Sequence, residues 1–343
     1  MAFILSWVAG MLLVPMIRKI ALKLGLVDRP GYRKIHKNPV PRVGGIAIYL
    51  AGLIGAMPFL FESSETVGIL LAATFVFVIG LLDDMLDLPA RVKLAGQFAA
   101  CIILVFFGVK IEFVTDFIAG KGLVALGLLT YPLTFLWVIG LTNTVNLVDG
   151  VDGLAGGVVF IALGTLLSVR LFVPNTQDAA LMHNVLMITA ALMGALLAFL
   201  RHNVYPAVIF MGDSGAYFLG FMTSALSISG AAKGSILFPL IVPLIAFGLP
   251  VLDVSLAILR RYSKKVPIFQ ADKEHLHHKL LEKGFSQKET TRFLWMVSTC
   301  FGFVAVLSAD IDHRGVQSFA GLCLIVMIIL CILFFLRKRN AIR

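Results

Sequence analysis

The sequence predicts an all-α polytopic integral membrane protein of about eleven transmembrane helices, with its N-terminus outside, its C-terminus cytoplasmic and its active site at the cytoplasmic face. Three observations carry that expectation. Hydrophobic residues make up 59% of the 343 positions and charged residues only 14%, where a soluble domain carries about 25% charged residues. Eleven apolar runs, each near the roughly 20 residues a helix needs to cross a bilayer, fill the chain and leave room for one membrane domain, 1–343. Of 29 Lys and Arg residues, only Lys110, Lys121, Arg170, Lys233 and Arg314 fall on one side of those runs, and the side richer in cations is the one held in the cytoplasm during insertion.

The first run, near 2–17, is followed by Arg18, Lys19 and Lys23 and shows no small-residue cleavage site, so it is expected to remain as a span. The cytoplasmic stretch near 18–43 mixes cations with turn formers. Its prolines and the closing Gly44-Gly45 suggest an ordered loop in which Lys37 or Arg42 meets an anion. Spans near 44–61 and 67–82 follow, and the second ends on Asp83-Asp84. Adjacent carboxylates beside a span are costly, which makes a functional role their default reading. Asp87 lies one turn after Asp83, but Pro89 soon ends that helix within the loop near 83–93.

Spans near 94–109 and 122–141 lead to the loop near 142–153, where Asn143, Asn146, Asp149 and Asp152 recur every three residues. That period drifts around a regular helix, so Gly150 and Gly153 are expected to break it and let backbone approach a ligand. After spans near 154–173 and 182–200 comes a short loop near 201–205. A span near 206–229 then opens with Phe210-Met-Gly-Asp-Ser-Gly215, whose Asp213 stands between two glycines.

The ninth span, near 235–259, holds Asp253, read as a buried residue, and the longest cytoplasmic loop, near 260–290, follows it. There Asp272 can cap a short helix that Gly284 ends, with His275 and His278 on one face. Ser286 to Glu289 forms a capping box ahead of the spans near 291–309 and 316–336. Cys101, Cys300, Cys323 and Cys331 all lie in expected spans without metal-ligand spacing.

The net charge of +10 does not imply nucleic-acid binding, because the cations border spans and face headgroups. Carboxylates from three segments suit a hard cation such as Mg²⁺, which takes one or two protein carboxylates and completes its shell with water and phosphate. With cations and imidazoles for anions at headgroup depth, the parts describe phosphoryl transfer between a soluble diphosphate and a membrane-held phosphate. A secondary transporter is the rival class. Its acids would sit near the midplane of two repeated halves, whereas these cluster at span ends and no internal repeat is visible. A non-catalytic scaffold is the third reading.

The four motifs, Asp83-Asp84, Asn143 to Asp152, Phe210 to Gly215 and Asp272-Lys-Glu-His-Leu-His-His278, appear in the order found in the polyprenyl-phosphate N-acetylhexosamine-1-phosphate transferases, and the chain resembles that family over nearly its whole length. The histidine segment is similar to the WecA/TagO-like branch that uses UDP-GlcNAc; the muramoyl-pentapeptide branch has three consecutive histidines. The resemblance implies Mg²⁺-dependent transfer of N-acetylglucosamine 1-phosphate from UDP-GlcNAc to undecaprenyl phosphate in the inner, cytoplasmic membrane. Mn²⁺ would be able to substitute, and a homodimer is an open alternative. It implies Asp213, Asn146 and Asp84 at the metal, Asp83, Asp84, Asp149 and His275 as catalytic residues, and Lys93 close to the phosphates. It places Asp149, Asp152, Phe210 and Lys37 toward the nucleotide, with Arg261, His275, His277 and His278 on the pyrophosphate. Another UDP-N-acetylhexosamine donor, or the muramoyl-pentapeptide one, is the alternative within the family.

Overall fold

A computed structural model describes residues 1–28, 39–115, 123–172, 179–229 and 276–309, together with the single positions Gly248 and Arg261. The helices of these segments are α1 (Ala2–Leu24), α2 (Gly44–Ala56), α3 (Ser64–Leu86), α4 (Ala90–Phe106), α5 (Thr130–Val148), α6 (Leu154–Phe172), α7 (Ala179–Asn203), α8 (Gly212–Ser229), α9 (Leu276–Glu282) and α10 (Gln287–Ala309). Five stretches among the described residues are helical, long and apolar enough to cross a membrane: Ala2–Leu24, Ser64–Leu86, Gly127–Val148, Leu154–Leu171 and Ala179–Asn203. The protein is thus a helical membrane protein; the expected spans near 235–259 and 316–336 lie outside the described residues.

Helix α8 is the axis of the bundle. Every residue from Gly212 to Ser229 is buried, and α3, α5 and α2 pack against it. Small residues permit this approach, as they do wherever membrane helices must touch closely. The space beside Gly45 of α2 is filled by Ser214 and Gly215, that beside Gly80 of α3 by Ser214 backbone, and that beside Gly220 of α8 by Thr142 of α5. Helix α1 packs on α7 and α2 and turns Ile4, Leu12 and Met16 outward, where lipid would solvate them.

Helix ends differ from the expected loops in instructive ways. Helix α3 continues through Asp83 and Asp84 to Leu86, so the loop near 83–93 shrinks to a turn. In that turn Asp87 adopts a left-handed φ of 50° and Pro89 caps α4. The run near 122–141 divides into a strand, β4 (Leu123–Ala125), which pairs antiparallel with β3 (Phe113–Thr115), and a later helix, α5. Asn143 and Asn146 therefore lie on helix rather than loop, and the break falls after Val148, with Gly153 at φ 74°. A first pair of short strands, β1 (Val27–Asp28) and β2 (Val40–Pro41), closes the base of the 18–43 stretch. Helix α9 ends as expected: Gly284 at φ 82° donates its N–H to Leu281 while Phe285 donates to Leu280. The capping box is also formed, with Ser286 N–H donating to Glu289 Oε2 at 2.8 Å and Glu289 N–H to Ser286 Oγ at 3.3 Å.

Candidate active site

The segment before α8 is built by backbone pairing to the segment before α2. Phe210 N–H donates to Pro41 at 2.7 Å, Gly44 N–H to Phe210 at 2.9 Å and Gly45 N–H to Met211 at 2.8 Å. This aligns Arg42 with the first turn of α8. Gly212 turns the chain at φ 75°, and a β-carbon there would run into the Arg42 carbonyl and the Asp84 carboxylate. Both the dihedral and the space therefore require glycine.

Asp84 holds the start of α8. Its Oδ1 accepts the Asp213 N–H at 2.7 Å, and its Oδ2 accepts the Ser214 N–H at 3.0 Å and the Ser214 hydroxyl at 2.6 Å. These are N–H groups that a helix leaves without internal partners, so a carboxylate from α3 caps α8 in trans, with Arg42 Nε 3.6 Å from Oδ1. Asp83, only 2% exposed, accepts the Leu88 N–H on Oδ1 at 2.9 Å. Lys93 Nζ lies 2.5 Å from its Oδ2 and 3.6 Å from Asp213 Oδ2. Asp213 Oδ1 accepts from Arg42 at 3.0 Å. Three carboxylates from α3 and α8 are thus balanced by two cations, one from the first turn of α4 and one from the loop before α2. The helix dipole of α8 further favours negative charge at Asp213.

Asn146 on α5 lies beside Tyr217 of α8, whose hydroxyl neighbours the Asp213, Asp83 and Asp84 carboxylates. Asp149 caps the C-terminus of α5. Burial pushes its carboxyl well above the usual carboxylate range, and Asp213, Asp84 and Asp152 push the same way while Arg42 opposes them. Asp152 ties the following turn to its neighbours. Its Oδ2 accepts the Ala207 N–H at 2.9 Å, and its carbonyl accepts the Thr291 hydroxyl at 3.1 Å.

The structure brings Asp83, Asp84, Lys93, Asn146, Asp149 and Asp213 into one neighbourhood and sets Phe210 beside it in the paired segment. Lys37 and His275 lie outside the described residues, as do the side chains of His277 and His278; Arg261 is helical. Arg42 was foreseen as an anion contact, but the anions it meets are the protein's own Asp213 and Asp84. No sequence signal distinguished the capping role of Asp84 from that of its neighbour.

The donor set is oxygen only: the Asp83 and Asp213 carboxylates with the Asn146 amide nearby. Among the described residues no three His, Cys, Asp or Glu side chains are grouped so as to hold a metal ion by themselves. An open arrangement of this kind fits a hard cation that keeps waters and phosphate oxygens in its shell, and Lys93, placed between two carboxylates, marks where positive charge is wanted.

Residues 66–231 match glycosyl transferase family 4. A probable undecaprenyl-phosphate N-acetylglucosaminyl 1-phosphate transferase of Bacillus subtilis (strain 168) is 35% identical over 308 residues, covering 89% of this chain and 84% of the relative. The chain belongs to glycosyl transferase family 4. A decaprenyl-phosphate N-acetylglucosaminephosphotransferase of Mycobacterium tuberculosis (strain H37Rv) is 36% identical over 83% of the chain and 77% of that protein. A phospho-N-acetylmuramoyl-pentapeptide-transferase of Thermoanaerobacter sp. (strain X514) is 34% identical over 90% and 96%. The stretch matched to glycosyl transferase family 4 contains every carboxylate of the cluster and Lys93, but begins after Arg42.

Proposed function

We propose that this chain transfers N-acetylglucosamine 1-phosphate from UDP-GlcNAc to undecaprenyl phosphate, releasing UMP, and so initiates synthesis of a cell-envelope polysaccharide such as O-antigen or teichoic acid. The observation that carries this reading is the pairing of Asp83 and Asp213 with Lys93 and Arg42 at the end of the span-length helix α3 and the start of the buried helix α8, where a soluble donor and a lipid acceptor can meet. The relatives named for N-acetylglucosaminyl 1-phosphate transfer support the donor and the polyprenyl acceptor. The protein sits in the inner, cytoplasmic membrane with its N-terminus outside, which puts the cluster on the side where nucleotide sugars are made.

One displacement accounts for every atom. An acceptor phosphate oxygen bonds to the β-phosphorus of the donor, the bond from that phosphorus to the bridging oxygen breaks, and UMP leaves with that oxygen. The second pKa of a phosphate monoester is near 6, so the nucleophile is already largely ionised at neutral pH. Positioning and charge cancellation can then replace a general base. Lys93 and Arg42 exchange their carboxylate partners for phosphate oxygens, while Asp84 keeps the first turn of α8 in place beneath them. Phe210 offers a ring for uracil, and Asp149 and Asp152 line the nucleotide end. Lys37, Arg261, His275, His277 and His278 contribute charge and hydrogen bonds to the pyrophosphate. Mg²⁺, or Mn²⁺ in its place, would be held by Asp213, Asp83 and Asn146, with Asp84 adjoining, and would supply neutralisation of the pyrophosphate charge.

The test is transfer from UDP-GlcNAc labelled either in the sugar carbon or at the β-phosphorus to undecaprenyl phosphate by the purified chain, with Mg²⁺ and with EDTA. Both labels should enter the lipid and UMP should appear only with metal. Carbon label without phosphorus would mean a glycosyl transfer instead. Exchange of labelled UMP into UDP-GlcNAc without any acceptor would replace direct displacement by a covalent intermediate. The Thermoanaerobacter relative favours a second reading, transfer of phospho-N-acetylmuramoyl-pentapeptide, and supplying that donor in parallel decides between the two.

A further inference from the structure

Asn143 opens the series Asn143, Asn146, Asp149, Asp152, yet the reaction described above leaves it without a role. Its carboxamide is engaged across the helix interface. Asn143 Nδ2 donates to Gln97 Oε1 at 2.7 Å and to the Ile139 carbonyl at 2.8 Å, and Gln97 Nε2 donates back to Asn143 Oδ1 at 3.4 Å. Gln97 is 3% exposed. Among the described residues the two bonds between Asn143 and Gln97 are the hydrogen bonds that join α4 to α5.

The placement of the pair matters more than its burial. Gln97 follows Lys93 by one turn on the same face of α4, and Asn143 precedes Asn146 by one turn on α5. The amide pair therefore sits one turn from both the lysine that bridges Asp83 and Asp213 and the asparagine that meets Tyr217. Helix α4 packs closely along α3, where Gly96 makes room for Ile79, but its contact with α5 is slighter. A reciprocal amide pair with one partner buried, Gln97, and the other half-buried holds one separation, because sliding would leave the buried Gln97 amide unpaired.

We propose that Gln97 and Asn143 are positioning residues whose amide pair sets the spacing of α4 and α5, and through it the placement of Lys93 and Asn146 at the acidic cluster. The proposal rests on that cluster being the reaction centre. Apolar side chains of similar size would still fill the interface, but the helices could then shift, and a misplacement of about 1 Å can cost on the order of a hundredfold in rate.

The test uses the full chain in detergent or nanodiscs, carrying Gln97→Met, Asn143→Leu, both together, or the exchange Gln97→Asn/Asn143→Gln, which keeps the total side-chain length. Each is made with and without Lys93→Ala. Gln97→Met and Asn143→Leu should each lower kcat about ten- to a hundredfold with the donor KM nearly unchanged, and the exchange should restore much of it. In the Lys93→Ala background, Gln97→Met should add little further loss. Equal losses in both backgrounds, or losses that follow only the melting temperature, would overturn the proposal. A second readout needs no catalysis: spin labels at Val92 and Leu147, both exposed, should report a longer or broader α4–α5 distance in Gln97→Met. An unchanged distance overturns the clamp; a changed distance in a protein that transfers no sugar phosphate keeps the clamp and removes the transferase reading.

Discussion

Asp84 and Ser214 are joined twice, by the Ser214 backbone N–H at 3.0 Å and by its hydroxyl at 2.6 Å, both to the same carboxylate oxygen. With the Asp213 N–H on the other oxygen, α3 supplies the N-terminal cap of the most buried helix among the described residues. The two adjacent aspartates of α3 thus face different work: one organises backbone, the other meets Lys93.

Replacing Asp84 should therefore show as a loss of stability. Asp84→Ala leaves buried donors of α8 unpaired, at a cost of about 1–3 kcal/mol, and should lower the midpoint of thermal unfolding in detergent by several degrees. Asp84→Asn keeps an acceptor and should retain more of both the midpoint and the activity. An unchanged midpoint in Asp84→Ala would remove the capping role.

The two cations should separate by chemistry. Lys93→Ala leaves Asp83 and Asp213 facing each other without their ammonium bridge and should lower kcat/KM by about a hundredfold or more, an effect of the size seen when an electrostatic contact to a reacting group is lost. Lys93→Arg should recover part of it. Arg42→Lys should recover less in the parallel pair, because a guanidinium reaching Asp213 and Asp84 together presents a planar fork that an ammonium lacks. Steady-state rates against donor concentration distinguish these cases.

Gly212→Ala should be among the most damaging single-atom additions in the chain. It forces a side chain into φ 75° and against both Arg42 and Asp84, so yield and thermal midpoint should both fall, by the equivalent of about 1–3 kcal/mol. Gly140→Ala, on α5 with open space beside it, is the control and should be neutral or slightly stabilising.

Removing metal should abolish transfer, and Mg²⁺ or Mn²⁺ should restore it. Asp213→Asn should raise the metal concentration needed for half-maximal rate while leaving the folded helical content unchanged by circular dichroism. Full activity of the wild-type chain in EDTA would exclude the metal.

Much of this architecture is legible from hydrophobic runs because a bilayer demands long apolar helices and tolerates little else. The places where reading fails have physical causes. The run near 122–141 contains Leu123 to Ala125, which serve a strand as well as a helix, so α5 begins later than its hydropathy suggests. Asn143 and Asn146 look like loop residues, yet both lie on α5, and Gln97 pairs with Asn143 across the helix interface. Asp83, Asp84 and Asp213 declare themselves because charge beside a span is expensive. Arg42 is legible as an anion contact but its partners Asp213 and Asp84 are not, since its place depends on pairing between Pro41 and Phe210, segments far apart in the chain, and nothing in a single sequence registers that alignment.

Helix α8 turns no residue toward the lipid. The turn bearing Asp213 is consequently insulated from the bilayer: changes in acyl-chain length or order act first on outer helices such as α1, and reach the centre only through the glycine-lined contacts around it. The same seclusion leaves α8 little freedom to accept larger side chains.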